Sequence, residues 1–133
     1  MSNDVKINRG LKNIFFERSN VSHIDGAKGE LSYRGYSIND LASKSTFEEV
    51  SYLLIYGELP TINELRVFDE TLKSARKLPD PIFDIISAIK GGHPMDVLRT
   101  CVSALAALDS ASQTVSEDAF LVNGIRLMAQ VPM

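Results

Sequence analysis

The sequence predicts a mainly α fold with a small β-hairpin near its N-terminus. Three observations carry that prediction. Apolar residues recur at spacings of three and four from Ser37 onward, and capping sequences mark the helix starts. One short stretch ahead of them, "VSHIDGAKGELSYRGY", reads instead as strand, glycine-bearing turn and strand. The length of 133 residues suits one ordinary domain, and a chain of this size buries roughly two-thirds of its unfolded surface. With 44% hydrophobic and 23% charged residues, the composition is globular and excludes a disordered tail.

Residues 1–20 form a mixed, weakly patterned N-terminal segment. The hairpin is expected over 21–36, with Ile24 and the run Leu31 to Tyr33 flanking a turn that carries Gly26 and Gly29. Helices are expected over 37–133. "STFE" places Ser45 three residues before Glu48, a capping box in which the hydroxyl accepts an orphan backbone N–H and the glutamate reaches back. Phe47, Val50, Leu53 and Leu54 then share one face, and Gly57 suits the helix stop. "TINE" repeats the box with Thr61 and Glu64, opening a helix striped by Leu65, Phe68, Leu72 and Ala75.

"DPIFDIISAIK" starts a further helix with Asp80 as cap and Pro81 in the first helical position. Its apolar residues Ile82, Phe83, Ile85, Ile86 and Ile89 cover more than one face, so the helix is expected to be well buried, ending at Gly91-Gly92. In "HPMDVLRT", Pro94 fits the first helical position, which makes His93 the cap and Asp96 a first-turn carboxylate. Met95, Leu98, Val102 and Leu105 are the expected buried stripe. Ser103, Ala104, Ala106 and Ala107 keep the remaining surface small enough for close helix packing, within the domain or across a subunit boundary. A last helix starts near Ser116, carries Leu121, Ile125 and Met128, and is expected to run to Met133, which gives the chain the look of a piece.

Functional chemistry is harder to find. The 14 Lys and Arg against 17 Asp and Glu leave a net charge of −3, and the basic residues are dispersed, so no nucleic-acid footprint is present. The single cysteine, Cys101, lies among Leu98, Val102 and Leu105 and reads as a small core residue. His93 reads as a cap, and His23 as an exposed or edge residue of the hairpin loop. Two histidines so far apart offer no metal-binding spacing. Glu48-Glu49, Glu64, Glu70 and Glu117-Asp118 belong to caps or polar faces, and no glycine pattern fits a phosphate-binding loop. No apolar run approaches the roughly 20 residues of a membrane span, and the N-terminus has no signal core. The expected compartment is the cytoplasm. From the residues alone this is a helical acidic domain with no assembled active site.

Three stretches resemble the citrate synthase family, including its 2-methylcitrate synthase branch. They are "GL" at 10–11 with "VSHIDGAKGELSYRGYSINDLA", then "FEEVSYLLIYGELPT", then "HPMDVLRTCVSALAALD". In this order and spacing they cover the chain from about Ile7 to its last residue. The resemblance implies the N-terminal part of a large helical domain, with the small domain and catalytic segments absent. It implies a homodimer whose interface includes Ile82, Ile86, Met95, Leu98, Val102 and Leu105. The implied chemistry is a Claisen condensation followed by thioester hydrolysis. An aspartate takes an α-proton from acetyl-CoA (or propionyl-CoA), one histidine stabilises the enolate, and a second polarises the ketone of oxaloacetate. No residue here matches those three, so they are expected beyond Met133, and the 133 residues alone are expected to be inactive. Phe68 aligns with a position associated with the substrate pocket, although its place on a helix stripe also suits a core residue. Arg34 is expected to anchor the hairpin through backbone carbonyls. No cofactor or metal is implied, since the acyl-CoA is a substrate, and no nucleic-acid or membrane partner. The alternative is a non-catalytic helical dimerisation module.

Overall fold

A computed structural model of the chain describes Gly10, Ile14, residues 17–109 and residues 116–133. Most of the N-terminal segment lies outside the described residues. The chain divides between Glu58 and Leu59 into two compact units.

The first unit holds a three-stranded antiparallel sheet, β1 (Ser22–Asp25), β2 (Glu30–Tyr33) and β3 (Tyr36–Ser37), in that order. The expected hairpin is β1–β2, with Ile24 opposite Leu31. The third strand is an addition. Tyr33 pairs with Tyr36, so Arg34 and Gly35 form a two-residue turn, and both have positive φ, 48° and 90°. That is the backbone sign a tight hairpin turn needs, and Gly35 adopts it without steric cost. The Arg34 guanidinium donates from Nη2 to the carbonyl of Leu54 at 2.9 Å, which is the backbone anchoring expected of it. His23 sits within edge strand β1 opposite Ser32, rather than in the loop, and is exposed.

Helix α1 (Ile38–Lys44) is capped by Ser37, whose hydroxyl accepts from the N–H of Asn39, and it buries Leu41. Helix α2 (Phe47–Tyr56) does carry a capping box, but one residue later than expected. Thr46 accepts from Glu49 N–H at 3.2 Å, and Glu49 accepts from Thr46 N–H at 2.6 Å. Ser45 instead closes α1, donating its N–H to Leu41. "STFEE" contains the box in two adjacent registers, and burial decides between them. Leu53 is fully buried with Ser51 beside it, which turns Phe47 outward at 64% exposure. Gly57 ends α2 at φ 95°.

In the second unit, α3 (Ile62–Ala75) packs on α6 (Glu117–Gln130), and α4 (Asp80–Ile89) packs on α5 (Pro94–Leu108). The Thr61–Glu64 box opens α3, and Phe68 and Leu72 are its buried stripe. For α4 the cap is Pro79, not Asp80, and Pro81 is the second helical residue. The Pro79 carbonyl already accepts the N–H of Ile82 at 3.0 Å, so Asp80 is inside the helix and acts there as a first-turn negative charge. Nor is α4 buried on several faces: Ile82 is enclosed, whereas Phe83 is 54% exposed.

The core between α4 and α5 consists of Ile82, Cys101 and Leu105, with Leu78, Ile85, Ile86, Val97 and Ala104 packed against it. Cys101 is thus the core residue expected. The stripe that α5 turns inward is Val97, Cys101, Ala104 and Leu105, about one residue out of phase with the expected one. Met95 is 62% and Leu98 38% exposed. Helix α5 is apolar on two adjacent faces, and only the packing of Ile82 selects one of them.

Helix α6 starts at its Ser116 cap and buries Ile125, while Met128 is half-buried and Leu121 exposed. It ends at Gln130 rather than continuing to Met133. Pro132 has no N–H to extend the ladder, and Met133 N–H closes onto Gln130 in a final turn. Among the described residues no helix is long and apolar enough to cross a membrane.

The register of the α2 cap is testable. Thr46→Ala is expected to cost about 1 kcal/mol of stability by chemical denaturation, and Ser45→Ala measurably less. Equal losses would return the cap to Ser45.

Candidate functional site

Several of the chemically capable side chains that the sequence singles out are engaged structurally. His93 caps α5, its Nδ1 accepting the N–H of Met95 at 3.2 Å, so the neutral ring carries its proton on Nε2. Pro94 occupies the first helical position, as the sequence indicated. Asp96 lies in the same first turn and pairs with Arg99 at 3.0 Å, both side chains largely solvated. The histidine and the carboxylate therefore serve the helix start. Asp25 is a turn staple. Its carboxylate accepts from the N–H groups of Lys28 and Ala27 and pairs with the Lys28 ammonium at 3.3 Å. The backbone N–H of Lys28, then its ammonium, hold the Asp25 carboxyl below the ordinary carboxylate range. Lys44 is shifted upward by its hydrogen bond and charge pairing with Asp40. Lys44 is an exposed surface charge, and Asp25 is half-buried at its turn.

The second unit does contain two open grooves. One, of about 370 Å³, runs between α4 and α5 beside the end of α6, and Ile86, Val97, Leu98 and Val102 are among its walls. The other, of about 440 Å³, lies between α5 and α6, with the Arg126–Asp109 ion pair on its rim. The first groove offers few polar atoms. Lys90 stands at its edge, and Gln130 already donates from Nε2 to the Lys77 carbonyl at 3.0 Å. Among the described residues, no group of three or more His, Cys, Asp and Glu side chains converges as a metal site would require. Such a surface can exclude water and bury a complementary apolar face, but it supplies no base facing a substrate C–H.

The residues singled out in the sequence separate accordingly. Phe68 is 4% exposed on α3, and neither groove is lined by it. Of the six residues expected at a subunit interface, Ile82 and Leu105 belong to the chain's own core, and Ile86 and Val102 are half-buried. Met95 and Leu98 are exposed. All but Met95 line the first groove. Sequence reasoning passed over Val97, a groove wall, and the outward Phe120, which is 69% exposed, and it expected Phe83, 54% exposed, to be buried. For Val97 and Phe120 the signal was present, since each is an apolar residue off the stripe that the sequence pattern picked out for its helix.

Residues 10–133 match the family model described as "Citrate synthase, C-terminal domain". The chain belongs to the citrate synthase family. It is similar to 2-methylcitrate synthase 1 of Corynebacterium glutamicum, 38% identical over 98% of this chain and 34% of that protein. It is also similar to the citrate synthase of Deinococcus radiodurans, 41% identical over 93% of this chain and 33% of that one. Among solved structures, the citrate synthase of Thermoplasma acidophilum in ternary complex with carboxymethyl coenzyme A and oxaloacetate covers 94% of this chain. The identity is 31% and the TM-score 0.85, over 33% of the solved chain. The chain thus spans about a third of the length of the citrate synthase relatives it matches.

Capping by His93 predicts a graded result. His93→Asn retains a side-chain acceptor and should leave stability nearly unchanged, whereas His93→Ala should lose about 1 kcal/mol. A matching loss in both variants, read by thermal and urea unfolding, would show that the imidazole does something other than cap.

Proposed function

We propose that these residues are the scaffold and dimer-interface portion of a citrate synthase, contributing the N-terminal part of its large helical domain. The enzyme would condense acetyl-CoA with oxaloacetate and hydrolyse the resulting thioester, giving citrate and CoA. One observation carries the reading. The family match spans residues 10–133, yet within that span every described histidine is accounted for by a cap or an edge strand. The two catalytic histidines and the aspartate base then belong outside these residues. The Thermoplasma relative, bound to a CoA analogue and oxaloacetate, supports the substrate class. 2-Methylcitrate synthase, which would use propionyl-CoA, is supported equally by the Corynebacterium relative. No cofactor enters this chemistry, because the acyl-CoA is consumed as a substrate. Phe68, enclosed on α3, enters the reading as a packing residue.

The association surface is the outward side of α4 and α5. Leu98 is an exposed wall of the apolar groove and Met95 is exposed in the first turn of the same helix, and the small residues Ser103 and Ala107 on α5 permit close approach of a second helix pair.

Two experiments test this. Replacing the aligned third of the Deinococcus enzyme by residues 1–133 should give a folded chimera that releases CoA only when oxaloacetate is present. Comparing acetyl-CoA with propionyl-CoA in that assay reports the branch preference. A folded but inactive chimera would favour the dimerisation-module reading. In the same chimera Met95→Asp puts a charge where the α5 N-terminus tolerates it, so helicity should be unchanged. Buried unpaired in an interface it should cost about 3 kcal/mol or more, roughly a 100-fold weaker dimer by sedimentation. Unaltered dimer strength would place Met95 outside the interface.

A further inference from the structure

We draw no further inference here: the strongest candidate, the open groove between α5 and α6 beside the Arg126–Asp109 ion pair, is an unpartnered apolar face, and nothing in the structure shows what covers it.

Discussion

The packing of Ile82 against Cys101 and Leu105 is the constraint on which the second unit depends. Helix α5 has two apolar faces to offer, and this contact commits one of them to the interior. The consequence is geometric: with Val97 and Cys101 turned toward α4, Met95 is left exposed and Leu98 stands as a wall of the groove between the two helices. A fully buried isoleucine is worth roughly 1.5–3 kcal/mol relative to an exposed one, so a rotation of α5 that brought Met95 inward would have to offset that loss. The cap reinforces the same phase. His93 and Pro94 set where the helix begins, and the interior stripe follows from the first turn.

The same constraint links fold to function. Outward apolar residues on α4 and α5 are the basis for the association face proposed above, since monomers rarely expose large contiguous apolar patches. What the described residues of the second unit do not bring together bears on the division of labour in the proposed enzyme. A Claisen condensation needs a base beside a weakly acidic C–H and donors where negative charge develops. Several described carboxylates are instead committed to caps, turns and surface ion pairs, such as Asp96 with Arg99 and Asp69 with Lys73. In the proposed enzyme these residues would hold a framework in shape, with proton transfer left to groups elsewhere.

Much of this was legible in the sequence because helix ends are written in local chemistry. Thr61 with Glu64, His93 with Pro94, Ser116 and Gly57 each perform the role their residue type and spacing imply. Local chemistry failed where two readings were locally equivalent. "STFEE" admits two capping boxes, and the burial of Leu53 picks the second. The short strand Tyr36–Ser37 was missed because Arg34-Gly35 is not one of the commonest tight-turn pairs, although Gly35 supplies the needed positive φ. For α5, periodicity identified an amphipathic helix but could not rank its two apolar faces. That ranking is a tertiary property. The family resemblance was readable because three separated stretches had to agree in order and spacing.

The central claim is that residues 1–133 supply framework and association surface but none of the condensing chemistry. It is tested most directly by incubating the purified chain with acetyl-CoA or propionyl-CoA and oxaloacetate, and following release of free CoA thiol. The account predicts no release above the rate seen without protein, from a sample whose helical circular dichroism shows it folded. Oxaloacetate-dependent CoA release that persists through further purification would contradict it, because a base and its hydrogen-bond donors would then have to lie within these 133 residues.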